Sequence, residues 1–269
     1  MKSIALWLRA LAAAIVVVSL AACSTGDGPD LTIGWTPERL YSEAKEEMAT
    51  GNWEPAIKLL EKLESRYPFG RWAQQAQLDI AYAHFKDNER ALALAAVDRF
   101  MKLHPNHESL DYAYYLKGLI NFNEQQGLFA RFGGQDLSER DLQAARESFD
   151  SFKELINRFP ESKYAADAES RMAYLINSMA QGEVHVARYY FRRGAFIAAA
   201  NRAQGVVRQY QRSPAVEEAL YLMVRSYERL GLNDLRDDAE RVLRSNFPDS
   251  QLLARGYPED SRRWWQVWR

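Results

Sequence analysis

The sequence predicts an all-α protein, a helical-repeat solenoid of about five helix pairs, and three observations carry that expectation. Apolar residues recur three and four apart in segments too long for strands. Helix-stopping pairs recur at Tyr67-Pro68, His104-Pro105, Phe159-Pro160 and Phe247-Pro248, with Tyr210 and Pro214 as a looser version. Composition agrees: the 269 residues are 47% hydrophobic and 26% charged with only 14 Gly and 9 Pro, unlike disordered or collagen-like chains.

Residues 1–22 read as a signal peptide. Lys2 and Arg9 charge its front, and Leu11 to Leu20 form an apolar run shorter than the roughly 20 residues of a helical span. Leu20-Ala21-Ala22 lead to Cys23, the one cysteine of the chain. A lone thiol makes neither an internal disulfide nor a multi-cysteine metal site. The small residues before it look like the lipobox of bacterial lipoproteins, in which the thiol takes a diacylglycerol and the new amino end is acylated. A plain secretory signal with a cysteine near its cleavage site is the alternative. One acyl chain anchors only reversibly, so a durable tether takes several. Ser24 looks like the sorting residue that lets such lipoproteins proceed to the outer membrane. Residues 23–36, with Gly26, Gly28, Pro29 and Gly34 and no periodicity, read as a lipidated flexible tether. The alternation of Leu31, Ile33 and Trp35 also suits a recognition segment lying extended in a groove.

The repeats follow in order. Thr36 is a natural N-cap and Pro37 suits the first helical position. Leu40, Ala44 and Met48 form one stripe, Gly51 stops that helix, and Ala56, Leu59, Leu60 and Leu63 form the stripe of the next. Unit two carries Leu78, Ala81 and Phe85, a turn from Lys86 to Glu89, then Ala93, Val97, Phe100 and Met101. Unit three predicts a helix over 109–125, a connection over 127–141 containing Phe132-Gly133-Gly134, and a second helix from about 142 to 158. Unit four is helix-compatible over 163–180 and 183–211, with breaks expected at Gly182 and Gly194. Unit five carries Leu220, Val224 and Tyr227, Gly231 in the turn, then Leu235, Ala239 and Leu243. The paired period looks like a tetratricopeptide repeat, whose unit is 34 residues. The long third connection divides the chain into an amino-terminal module, 37–160, and a carboxy-terminal module, 161–250. A Trp/Arg-rich tail, 251–269, follows, where Trp264, Trp265 and Trp268 cap the last repeat, meet a partner or touch the membrane interface.

Chemistry is sparse. A formal charge of -1 removes the electrostatic case for nucleic acid. His84, His104, His107 and His185 lack metal-ligand spacing, and neither a phosphate-binding glycine loop nor a nucleophile elbow occurs. No catalytic residue, metal or cofactor is expected. The richest stretch is Tyr189-Tyr190-Phe191-Arg192-Arg193-Gly194-Ala195-Phe196, followed by Asn201-Arg202. Three adjacent aromatics do not fit one side of a helix. They either pack unit four or face a partner, since Tyr and Arg concentrate at interaction hot spots.

The lipobox at 20–23, GNW at 51–53, RYPFG at 66–70, DRF at 98–100, FGG at 132–134, RYYFRRGAF at 188–196 and NR at 201–202 together resemble the BamD (ComL) family of outer-membrane β-barrel assembly lipoproteins, through about residue 250. The resemblance implies a non-enzymatic lipoprotein on the periplasmic face of the cell outer membrane, lipid-anchored at Cys23. It implies a receptor for unfolded outer membrane proteins that couples them to BamA for folding and insertion, with BamC and BamE attached in some bacteria. Arg202 matches the family arginine implicated in communication with BamA, and Arg193, Tyr189 and Tyr190 lie in the adjoining motif. The amino-terminal repeats are expected to receive substrate, with Tyr67, Phe69 and Arg71 beside the groove; Tyr67 and Phe69 locking units one and two together is the alternative. A periplasmic scaffold for cell-wall synthesis or division proteins is the competing function, and the constellation at 188–202 argues against it.

Overall fold

The computed structural model describes residues 30–122 and 139–256, and every regular element among them is a helix. The signal segment, Cys23, the Phe132-Gly133-Gly134 stretch and the tail tryptophans lie outside the described residues. The helices are α1 (Pro37–Thr50), α2 (Trp53–Arg66), α3 (Arg71–Lys86), α4 (Arg90–Leu103), α5 (Leu110–Asn121), α6 (Glu139–Arg158), α7 (Ala165–Arg192), α8 (Phe196–Gln209), α9 (Ala215–Leu230), α10 (Asn233–Asn246) and the short α11 (Gln251–Arg255).

Local chemistry sets the ends where expected. The Thr36 hydroxyl accepts from the Arg39 amide at 3.3 Å with Pro37 just inside α1, and Gly51 closes that helix at φ 81°. Gly231 ends α9 in the same left-handed conformation, at φ 73°. Ala44, Ala56, Ala81 and Ala93 are all fully buried, so paired helices approach at small side chains. At the α5–α6 contact the chain needs glycine: a Cβ on Gly118 would stand 2.4 Å from the Phe152 ring, itself fully buried.

Three helix boundaries differ from expectation. α5 stops at Asn121, and α6 begins by Glu139. The third difference matters most: α7 runs unbroken through Gly182 for 28 residues. An interior Gly costs about 1 kcal/mol against Ala. Here Leu175 and Met179 on one side of it belong to the core shared with α6, and Val184 and Ala187 on the other to the core shared with α8 and α9. Tertiary burial outweighs the local preference. Gly194, at φ 77°, does break the chain between α7 and α8.

The core is a string of apolar clusters passed from pair to pair. The first helices of adjacent units touch, α1 with α3, α3 with α5, and α7 with α9, whereas no comparable contact joins the second helices of those units among the described residues. First helices therefore line the inside of each curve. Because each second helix returns antiparallel, first-helix starts and second-helix ends share one edge of the solenoid, and the turns within pairs share the other.

Candidate functional site

A row of aromatic and charged side chains runs along the inner face of the amino-terminal repeats. Its centre is Asp79 on α3, a carboxylate that is only 6% exposed. Tyr41 on α1 donates its hydroxyl to Asp79 Oδ2 at 2.7 Å, Lys45 Nζ lies 3.5 Å from the same oxygen, and Gln75 donates to Oδ1 at 3.5 Å. These donors are what make a buried carboxylate tolerable. Burial first, and the bond to Asp79 second, push the Tyr41 phenol well above its ordinary range. Burial also raises Tyr112, with the charge of Asp79 adding to it.

The row continues toward α7. Tyr112 lies 5.5 Å from Tyr164, and Tyr115 stacks on Tyr164 at 4.6 Å. Tyr115 donates to Asp167 at 2.7 Å, and Arg171 Nε donates to the same oxygen at 2.6 Å. Burial favours protonation of Asp167, but the bonds from Tyr115 and Arg171 outweigh it and hold the carboxyl below its usual value. At the other end Trp72 packs 5.0 Å from Tyr41 and donates its Nε1 to Glu38 at 2.8 Å. The result is a face of ring edges and hydroxyls with cations at both ends, suited to an extended chain bearing aromatic side chains.

The RYPFG residues do not act as one group. Tyr67 is part of the first core cluster, and its hydroxyl donates to the Trp35 carbonyl at 2.8 Å. Phe69 is 90% exposed and stands at the edge between α2 and α3. Arg71 places its guanidinium 4.6 Å over Trp72, which brings it alone of the three to the aromatic row. His104 packs into the fold: its Nε2 meets Gln77 Oε1 at 2.9 Å, its ring lies 5.1 Å from Phe100, and burial lowers its pKa. No cluster of metal-ligating side chains occurs among the described residues.

In the carboxy-terminal half Arg193 lies over the Tyr189 ring at 5.5 Å, and Tyr189 meets Tyr190 edge-on at 5.9 Å. Phe191 turns the other way, against Phe196 at 5.4 Å, with Arg229 of α9 over Phe196 at 5.9 Å. So the aromatic run divides, as three adjacent rings on a helix must. Arg202 is not in this cluster. It pairs with Glu183, which is separated from Arg193 by about 15 Å of helix rise.

Two members of this surface, Ile197 and Leu232, carry no sequence expectation, and a third, Leu235, is expected in the buried stripe of unit five but lies outside it. Ile197, Leu232 and Leu235 are 65%, 45% and 47% exposed, and all sit on the within-pair turn edge with Tyr189 and Arg193. The available signal for Ile197 and Leu232 was their position close after the turns at Gly194 and Gly231; Leu235, four residues before Ala239, follows the stripe spacing but stands in the first turn of α10, beyond the reach of its neighbours.

A family model described as outer membrane lipoprotein (YfiO) matches residues 35–242. The outer membrane protein assembly factor BamD of Neisseria meningitidis serogroup A is 47% identical, over 93% of this chain and 96% of its own. The serogroup B counterpart is 48% identical over the same shares. That of Vibrio cholerae is 36% identical over 88% of this chain and 98% of its own.

Proposed function

Since this chain belongs to the BamD family of outer membrane protein assembly factors, we propose that it is a receptor and coupling scaffold that binds unfolded outer membrane proteins with one half and BamA with the other. The protein is an outer membrane lipoprotein. In this reading Cys23 carries the lipid and the work is binding, without bond-making catalysis.

The observation that carries the reading is the separation of two surfaces. The inner row of Tyr41, Asp79, Tyr112, Tyr115 and Tyr164 spans the repeats of module 37–160 and ends against α7, with Arg71 and Trp72 at its rim. An arriving substrate segment, extended and rich in aromatics, would lay its rings on these tyrosines and find cations at Lys45 and Arg171. The apolar and arginine-bearing turn edge of module 161–250, with Tyr189, Arg193 and Ile197, faces BamA, together with Arg202 on the neighbouring helix face. BamC and BamE have no assigned residues in this reading.

Photo-crosslinking in the assembled membrane tests it. Crosslinkers at Tyr41, Tyr112 and Arg71 should capture an unfolded barrel substrate, while one at the exposed Glu61 on α2 should not. Silence from every inner-face position, with capture elsewhere, would sink the receptor assignment.

A further inference from the structure

We propose that the edge of the amino-terminal repeats at which the chain enters is a phospholipid-contacting surface, and that Leu31, Ile33, Phe69 and Leu103 rest in the headgroup layer of the anchored protein. The four are 84%, 78%, 90% and 56% exposed. They come from three separate places in the chain, the turn before α1, the α2–α3 connection and the end of α4. The antiparallel pairing brings those places to one edge. Tyr189, Ile197, Leu232 and Leu235 of the carboxy-terminal half lie on the opposite edge, where Leu92 of α4 also stands; on the entry edge that half offers only Val242, at 40% exposure the least exposed of them, so the dense grouping belongs to this end of the molecule.

The first pair is held outward by construction. Asp30 accepts from the Thr32 amide at 3.1 Å and hydroxyl at 2.7 Å, from Lys62 at 2.9 Å, and from Arg66. Arg66 also donates to the Thr32 carbonyl at 2.6 Å. The segment is thus a turn clamped to α2, and its last part is neither a free tether nor an extended strand. Within it the polar Thr32 is 7% exposed while its apolar neighbours face outward, the reverse of the usual partition.

Chain length commits the occupant to lipid. On the lipoprotein reading above, on which this inference rests, acyl chains sit in the leaflet at Cys23. Seven peptide steps then reach Asp30, at most about 25 Å. The clamp stops that length from growing, which keeps this edge, where the tether joins the fold, within headgroup distance. Arg39 over the Trp35 ring at 4.1 Å and Lys102 beside Leu103 supply the amphipathic cations typical of an interfacial surface.

Nitroxide labelling tests the placement. The full lipidated chain, carrying Leu31→Cys, Ile33→Cys, Phe69→Cys or Leu103→Cys one at a time, is reconstituted in vesicles of phosphatidylethanolamine and phosphatidylglycerol. Relaxation by oxygen and by a water-soluble nickel chelate is compared with the unlipidated Cys23→Ser chain in buffer. The oxygen-to-nickel ratio should rise several-fold at all four sites and stay unchanged at a Leu235→Cys control. Labels that keep their buffer values on a lipidated chain overturn this inference and leave the anchor standing. Labels shielded only after a protein partner or substrate is added also overturn it. Mass spectrometry of the amino-terminal peptide separates the two readings, since an unmodified Cys23 removes the anchor and this surface with it.

Discussion

Arg202 Nη1 lies 3.0 Å from Glu183 Oε2, so the arginine of the NR motif is already engaged by its own chain before any partner arrives. The guanidinium side is half exposed and Glu183 is 17% exposed. Such a pair contributes at most about 1 kcal/mol to stability. Arg202→Glu loses that and sets two carboxylates side by side, so it should keep the helical spectrum while lowering the melting temperature by a few degrees. Recovery of BamA on affinity purification of the intact membrane complex should fall by about tenfold or more. The double exchange Glu183→Arg with Arg202→Glu restores the internal pair and should not restore BamA. Unchanged recovery from either variant rejects the contact.

Gly118 allows the closest approach of α5 to α6 through the Phe152 ring. Gly118→Ala should destabilise by about 1–3 kcal/mol, because the ring is enclosed and has nowhere to retreat. For a chain this long, that is a fall of roughly 3–10 °C in melting temperature. Adding Phe152→Leu should recover part of the loss, and calorimetry of the three variants checks both signs.

Tyr41 and Tyr112 are pushed above the ordinary tyrosine range chiefly by burial. A phenol whose folded pKa is raised contributes stability that is complete below its unfolded value of about 10 and is lost as pH climbs toward the folded one. Thermal melts between about pH 9 and pH 12 should thus show a steep alkaline loss. Tyr41→Phe with Tyr112→Phe should flatten that slope. A slope identical to that of the parent protein counts against these two groups as its source.

Asp30 is held below the usual carboxylate range, first by the Thr32 hydroxyl and then by Lys62. Its contribution is present above the unfolded value of about 3.9 and is lost only as pH falls through the lower folded one, so the clamp is intact at neutral pH. Asp30→Ala, which removes the acceptor, should abolish hydrogen-exchange protection at the Thr32 amide at pH 7 while the melting temperature stays put. Retained protection would show that Arg66 on the Thr32 carbonyl suffices.

Much of the fold was readable because its signals are local. Thr36 with Pro37, Gly51, Gly231 and the recurrent Pro residues each act within a turn of where they stand. What stayed hidden depends on partners far along the chain. The clamp on Asp30 needs Lys62 and Arg66, and the aromatic row needs Tyr41, Tyr112 and Tyr164 from three units brought to one face by curvature. Tyr67 is expected beside the groove with packing as the alternative, and the bond to the Trp35 carbonyl that favours packing is a long-range fact. Family motifs drew attention to Arg202, but no spacing rule names Glu183 as its partner.

The unbroken α7 has a mechanical consequence. Its 28 residues form a rod of about 42 Å whose front end carries Asp167 and Arg171 of the inner row and whose far end carries Tyr189 and the α7–α8 turn. A rod does not dissipate rotation as a hinge does. A tilt of about 5° imposed at the turn displaces the front end by about 4 Å, a distance comparable to a side-chain contact. Torque applied at one end is therefore felt at the other, which makes the inner row and the α7–α8 turn two ends of one lever.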